Sequence, residues 1–259
     1  MGLHPPLFNQ FTITTRKSVT IVKIALTFDV EKDCPPFFTS THGVEEGLPE
    51  ILKLLDKFGI KSTFFVTGDV AEKYPNAISK ISKKHEIGCH GYHHESFDKI
   101  DREKKETIKK SKELLESIIN GEVLGFRAPR LLICNELYRV LEDLGFRYDS
   151  SMASFMPSHR NIKVDIPEFK LVVSNVTLRF PGGPTIFKKV CRKNLFPVLF
   201  FHPWEAIDMR KFLPRAPKNF FLRPDNWFNT GEPFLKKLRS LLGDLTDEFD
   251  FVFLRDMIK

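Results

Sequence analysis

The chain has 259 residues, of which 42% are hydrophobic and 28% are charged, values typical of a globular protein with one substantial core. Its net charge of +7 would suit nucleic-acid binding, but the lysines alternate with glutamates along predicted helices and form no single block. Because no recognisable nucleic-acid-reading motif occurs either, we expect no nucleic-acid partner.

The first 18 residues are predicted to form a loosely held arm, because Pro5-Pro6 and the polar residues after them show no sustained period. The arm lacks the apolar core and the small-residue cleavage site of a signal peptide. No apolar run elsewhere approaches the length of a membrane span. We therefore expect a cytoplasmic protein with one domain over residues 19–259, and the sequence leaves open whether it forms homo-oligomers.

From residue 19 onward, short β-branched and aromatic runs alternate with longer amphipathic runs, as in βα units around a parallel sheet or barrel. Strands are predicted over residues 19–28, 61–68, 85–91, 122–129, 146–151, 196–203 and 249–256. Helical periods predict helices over residues 48–58, 69–84, 102–119, 135–144 and 232–242. Residues 161–184 break the alternation with strand-like pieces around 171–176 and 177–180, and we predict a β-rich insertion there.

The four cysteines lie far apart and form no C-x-x-C pair, so the sequence indicates neither a zinc knuckle nor a redox dithiol. We expect reduced and mostly buried thiols. The cysteines are Cys34, Cys89, Cys134 and Cys191.

Polar residues interrupt the predicted strands at their C-terminal ends. In a barrel of βα units these ends converge on one mouth, where active sites are built. The residues are Asp29, His90, Arg127, Asp149 and His202.

The segment GCHGYHHESF, residues 88–97, places three histidines within five positions. His90 and His94 are four residues apart, and one helical turn would put them on the same face, within reach of one metal ion. His93 would point away from that face. A polar loop in which histidine recurs by chance is the alternative.

Three further motifs supply groups for acid-base chemistry around such an ion. In ALTFDVEKD, Asp29 and Glu31 lie on alternate residues, so one carboxylate can face the metal and the other the reacting water; capping of a loop is the alternative. Arg127 in FRAPR can orient a carboxylate and keep it ionised, or form a structural ion pair. His202 in LFFHPWE can protonate a leaving group, or simply pack at the strand end.

Together these motifs resemble the polysaccharide deacetylase superfamily, also called the NodB-homology or carbohydrate esterase family 4 group. TFDVE corresponds to the family's T-F-D-D, HGYHH to H-[ST]-x-x-H, RAP to R-x-P, and FFHPWE to the closing L-x-x-H. The resemblance begins near Val22, and HPWE is particularly similar to the branch that includes exosortase-associated deacetylases. It implies a distorted (β/α) barrel of about seven parallel strands.

The resemblance also implies a role for each residue. Asp29 is the catalytic base, Arg127 orients it, and His202 is the general acid. His90 and His94 are metal ligands. The family's second aspartate, also a ligand, is replaced by Val30; branches with a D-x-[DE] form shift this ligand by one residue, so Glu31 is the expected ligand and Asp33 the reserve.

Other residues are candidates for supporting these groups or for contacting substrate. Asp149 would accept the second ring proton of His202 or serve as a cap. Pro129 of RAP, Trp204 of HPWE and Trp227 are the remaining candidates. Trp227 belongs to an aromatic and basic loop over residues 206–231, where Arg223 would hold a phosphate-bearing glycan if the loop does not simply pack.

The implied activity is metal-dependent hydrolysis of an N-acetyl group on a carbohydrate. Two imidazole nitrogens and one carboxylate oxygen suit Zn²⁺, with Co²⁺ and Ni²⁺ as alternatives. An allantoinase-like or cyclic-imide amidohydrolase is the rival enzyme, because such enzymes share this fold. Since Val30 replaces a ligand, an inactive carbohydrate-binding protein is the second alternative.

Overall fold

The computed structural model describes residues 22–163 and 165–258, and the predicted arm over residues 1–18 lies outside them. Seven strands were predicted, and each has its counterpart in the structure. They are β1 (Val22–Val30), β2 (Thr63–Val66), β3 (Glu86–Cys89), β4 (Gly125–Phe126), β5 (Tyr148–Asp149), β6 (Val198–Phe201) and β7 (Phe249–Phe251).

All of these strands pair in parallel in a single curled sheet, which confirms the predicted fold class. Their order is β5-β4-β3-β2-β1-β6, and β7 pairs with the first half of β1. β6 pairs with residues 25–28 of β1, directly after the part of this strand that pairs with β7. Helices lie between successive strands, as parallel crossovers require.

The five predicted helical regions are all helical in the structure. Pro75 divides the region predicted over 69–84, because proline has no N–H to continue a helix but is tolerated at a helix start. The helices are α1 (Leu48–Phe58), α2 (Gly68–Lys73), α3 (Pro75–Ser82), α4 (Arg102–Ile119), α5 (Asn135–Asp143), α6 (Val176–Arg179), α7 (Gly183–Lys193), α8 (Lys218–Phe221) and α9 (Glu232–Thr246).

The chain after β5 fills the gap between the two edges of the sheet. Isolated parallel bridges join Glu168 to Asp149 on one side, and Leu171 to Val198 of β6 on the other. Leu171 N–H also donates to Met152 O at 2.9 Å. The sheet therefore curls into a distorted barrel, and this segment closes it without a regular strand among the residues that the structure describes.

The predicted β-rich insertion is only partly present. Bridges form at Glu168 and Leu171, but the strand predicted over residues 177–180 is wrong, because Val176–Arg179 forms the short helix α6. The sequence prediction also missed α7, which starts with a glycine and a proline that resemble the end of a turn. Pro184 here occupies the first turn of a helix, where proline is tolerated.

The side chains of β1 alternate between the two faces of the sheet. Ile24, Leu26, Phe28 and Val30 all belong to the apolar core between the sheet and the helices, whereas Ala25 belongs to the core inside the barrel. Successive side chains of a strand point to opposite faces. The inner face of β1 therefore carries the odd-numbered residues that follow Ala25, which end in the two acidic residues of the sequence motif.

No helix among the described residues has the length and apolar character needed to cross a membrane. The four cysteines are free thiols, and three of them are buried.

Candidate active site

At the mouth of the barrel lie Thr27 and Asp29, from the inner face of β1, and Glu31, which directly follows the strand. All three side chains are buried, with residue exposures of 0%, 3% and 3%. The C-terminal ends of the neighbouring strands bring the other predicted site residues to the same place.

Arg127 follows β4 and is fully buried. Its Nη1 donates to Asp29 Oδ1 and to Thr27 Oγ1, both at 2.7 Å. Its Nε and Nη2 donate to the carbonyl oxygen and the hydroxyl of Ser150, at 2.9 and 2.8 Å. The guanidinium also lies 4.2 Å from the ring centroid of Phe65. These contacts fix both the guanidinium and the Asp29 carboxylate that it pairs with.

Glu31, His90 and His94 form a compact group of potential metal ligands, with one donor atom from each within 4.8 Å of the others. His94 Nε2 lies 2.7 Å and His90 Nε2 lies 3.4 Å from Glu31 Oε2. No hydrogen bond reaches this buried oxygen. The other oxygen, Oε1, accepts a hydrogen bond from Trp204 Nε1 at 3.2 Å.

The tautomer of His90 favours a cation in this group. His90 Nδ1 lies 2.8 Å from the carbonyl oxygen of Arg127, which can only accept, so Nδ1 carries the proton. In the neutral ring, Nε2 then presents a lone pair toward Glu31. Two imidazole nitrogens and one carboxylate oxygen are a donor set that fits a divalent metal, and the backbone contact to His90 is of the kind that orients histidine ligands.

Burial alone would raise the pKa of Glu31. Positive charge on His94, together with His90, instead holds the pKa of this carboxyl well below its usual range. A cation bound between the three side chains would supply the same compensating charge.

The two histidines do not lie on a helical turn, so the geometric reason given for their pairing is wrong. Residues 90–95 form an irregular loop in which Gly91 and His94 have left-handed backbones, with φ of 71° and 63°. Glu95 accepts backbone N–H bonds from Tyr92 and His93 and stabilises this loop. The loop, and not a helix, brings His94 back toward Glu31.

His202 follows β6 and faces both acidic residues. Its Nε2 lies 3.9 Å from Asp29 Oδ2 and 3.8 Å from Glu31 Oε1. The Trp204 indole stacks on the imidazole, with ring centroids 5.0 Å apart and an interplanar angle of 23°. Burial alone would lower the pKa of His202, but its hydrogen bond to Glu205 and the nearby acidic charges raise it to about 9.

Comparison with known proteins identifies the family of this chain. The profile of the polysaccharide deacetylase family matches residues 16–148, which is 133 of the 259 residues. The chain belongs to the polysaccharide deacetylase family. Over 111 residues it is 35% identical to a peptidoglycan deacetylase-like protein of Gibberella zeae, covering 41% of this chain and 33% of that protein. The chain spans about a third of the length of the curated relatives that it matches.

Solved structures show the same fold over nearly the whole chain. A candidate polysaccharide deacetylase from Mycobacterium smegmatis has a TM-score of 0.65 and 20% identity, covering 91% of this chain and 88% of that one. An allantoinase has a TM-score of 0.62 and 14% identity, covering 90% of this chain and 88% of that one. At these identities the likeness shows the fold alone.

Val30, at the position of the family's second aspartate, is buried in the core on the helix side of the sheet. The carboxylate beside the histidine pair comes from Glu31. Asp33, the reserve ligand, lies elsewhere: its oxygens accept from Gly43 N at 2.7 Å, Ser40 Oγ at 2.8 Å and His42 N at 2.9 Å. Asp33 thus stabilises the turn that precedes α1.

Sequence reasoning missed a buried acid-base network behind His202. His202 Nδ1 donates to Glu205 Oε1 at 3.1 Å, and Asn175 Nδ2 donates to the same oxygen at 2.9 Å. The Nε of Arg179 lies 3.0 Å from Glu205 Oε2, and both side chains are fully buried. The sequence signal was the glutamate three residues after His202 in HPWE.

The remaining candidates lie around this centre without touching its reactive atoms. Asp149 accepts hydrogen bonds from the N–H and hydroxyl of Ser151, and burial raises its pKa. It is not the partner of His202, because the second ring proton of that histidine is donated to Glu205. Pro129 is buried at the start of a single helical turn. Trp227 donates through its indole N–H to the Phe221 carbonyl at 3.3 Å.

We predict that His90→Ala and His94→Ala each weaken zinc binding by more than the roughly 10- to 100-fold that loss of an outer partner costs. Glu31→Gln should do the same. His93→Ala is the matched control, because the His93 side chain is 65% exposed and outside the ligand group. Isothermal titration with zinc measures each affinity.

Equal weakening by the His93 variant would contradict this ligand set. If Asp33→Asn abolished zinc binding while Glu31→Gln retained it, Asp33 would replace Glu31 as the carboxylate ligand.

Proposed function

We propose that the chain is a metal-dependent hydrolase that removes N-acetyl groups from a carbohydrate. One observation carries the proposal: Asp29 and His202 face each other at 3.9 Å directly beside the Glu31, His90 and His94 group. Hydrolysis of an unactivated amide needs a general acid, a general base and a metal site that lie close together. Membership of the polysaccharide deacetylase family supports the carbohydrate acetamide as substrate.

Glu31, His90 and His94 would hold the cation, for which Zn²⁺ suits the donor set best, with Co²⁺ and Ni²⁺ as alternatives. When bound there, a divalent ion would polarise the amide carbonyl and acidify water at the site. Trp204 donates to Oε1 of Glu31, whereas Oε2 accepts no hydrogen bond and faces the two histidines.

Asp29 is proposed as the general base. Arg127 occupies its Oδ1, so Oδ2, which faces the site, takes a proton from the attacking water. The water oxygen bonds to the carbonyl carbon as the C–N bond breaks. His202, protonated at neutral pH with a pKa of about 9, delivers its Nε2 proton to the departing nitrogen. The products are acetate and a free amine.

The combination of Asp29-x-Glu31 with the HPWE sequence at residues 202–205 supports placing the chain in the branch with exosortase-associated deacetylases. The name of the Gibberella relative supports a glycan of the peptidoglycan type as one substrate to test. An allantoinase shares this fold, so an allantoinase-like or cyclic-imide hydrolase is the rival activity, and substrate trials must decide between these reactions.

We expect zinc- or cobalt-loaded protein to release acetate from N-acetylglucosamine oligomers, with product masses lower by one acetyl group for each event. Asp29→Asn should keep its metal but lose about 10²- to 10⁴-fold in kcat, because it removes the base and not a ligand. Acetate assay, mass spectrometry and metal analysis give the three readouts. Ring opening of allantoin or succinimide without acetate release would replace this function with the rival one.

We further expect Glu205→Gln to lower kcat about 10- to 100-fold with KM and metal content unchanged, because the amide neither orients nor charges His202 as the carboxylate does. Glu168→Gln is the control, since Glu168 is also a largely buried carboxyl but bonds Tyr138 and Met152. Thermal melting measures whether the fold survives when Arg179 loses its charged partner. An unaltered kcat in folded, metal-loaded Glu205→Gln would show that Glu205 has only a structural role.

A further inference from the structure

Two large apolar side chains protrude side by side at the tip of the loop over residues 206–231. Phe221 is 57% exposed and Leu222 is 76% exposed, and they are neighbours in sequence. Trp227 stacks on Phe221, with ring centroids 6.4 Å apart, and stiffens the tip. Contiguous exposed apolar surface is a signal for contact with a partner or a membrane, whereas scattered single side chains are ordinary.

The tip is anchored firmly to the body of the protein. Phe220, between the charged start of α8 and the exposed pair, is fully buried. Its ring packs against Phe37 and Phe38, with centroid distances of 5.2 and 4.8 Å. The same apolar cluster includes Trp204, which contacts Glu31 and His202. The exposed tip therefore stands beside the mouth of the barrel.

The loop is strongly basic around this tip. Two of its cations are already paired, Arg223 with Asp225 and Arg210 with Asp208. Within the described part of the chain, no carboxylate forms an ion pair with its three other cations. These are Lys211, Arg215 and Lys218, all exposed.

We infer that this tip docks on the surface of an anionic lipid bilayer. Phe221 and Leu222 would enter the boundary between headgroups and acyl chains, where apolar side chains are stabilised. Lys211, Arg215 and Lys218 would face the anionic headgroups, and the chain's net charge of +7 acts in the same direction. Two protruding side chains cover far less than the roughly 800 Å² per partner of a stable protein interface, which favours the bilayer over a second copy.

Docking in this orientation would turn the mouth toward the membrane, because Trp204 joins the tip cluster to Glu31 and His202. The protein would then act on glycans that are carried by membrane lipids. This consequence rests on the proposed function, whereas the docking itself does not.

Co-sedimentation with vesicles tests the docking. We expect the protein to bind vesicles of phosphatidylcholine with phosphatidylglycerol, and to bind pure phosphatidylcholine vesicles much more weakly. The double variant Phe221→Ser/Leu222→Ser should bind the anionic vesicles at least about tenfold more weakly. Ile186→Ser/Leu195→Ser is the matched control, because it also removes two exposed apolar side chains, 46% and 97% exposed, away from the loop.

A charge series completes the test. Arg215→Ala/Lys218→Ala should weaken binding to anionic vesicles by about 25-fold, at about fivefold for each basic side chain near the surface. Lys80→Ala/Lys83→Ala removes the same charge from exposed positions at α3 and should weaken binding far less than the loop variant does. Acetate release from soluble oligomers should be unaltered in all four variants, which separates docking from catalysis.

Three results would overturn the inference: no binding to anionic vesicles, equal binding to neutral ones, or binding that the loop variants leave intact. A concentration-dependent dimer that Phe221→Ser/Leu222→Ser abolishes, seen by analytical ultracentrifugation, would assign the tip to a second copy instead.

Discussion

A carboxylate that is almost completely buried must meet positive charge where it lies, and in this protein that constraint acts on Glu31. One of its oxygens is satisfied by the Trp204 indole, and the other faces His90 and His94 without a hydrogen bond. Much of the surrounding structure follows from this arrangement. The loop after β3 bends through left-handed residues to return His94, and the turn after β6 places Trp204 against both Glu31 and His202.

Two buried arginines, Arg127 and Arg179, form ion pairs that support the acid and the base of the site. Arg127 binds Asp29 and also joins β1 to the chain after β5 through Thr27 and Ser150, so one side chain both orients the base and ties the sheet together. Arg179 forms a buried ion pair with Glu205 and balances its charge. Glu205 can therefore lie buried and accept the hydrogen bond from His202, the general acid. Breaking such a buried pair costs about 3–5 kcal/mol, so each arginine supports both the fold and the site.

The sequence was informative where the signal is local. The alternation of β1 placed Asp29 and Glu31 on one face, and polar residues at strand ends marked the mouth. It was misleading where the backbone is irregular, since the His90 and His94 spacing suggested a helical turn that does not exist. The contact between Arg179 and Glu205 joins residues far apart in sequence, and no periodic pattern records it. Helix α7 was missed because it starts with Gly183 and Pro184, residue types that are more common in turns.

The central claim is that Glu31, His90 and His94 bind one divalent cation beside Asp29 and His202. Crystals grown with zinc, measured on both sides of the zinc absorption edge, test it most directly. The account predicts one strong anomalous peak at about 2.0–2.2 Å from Glu31 Oε2 and from Nε2 of both histidines. A peak bound to Asp33 or at the surface, or no peak between these three side chains in zinc-saturated crystals, would contradict it.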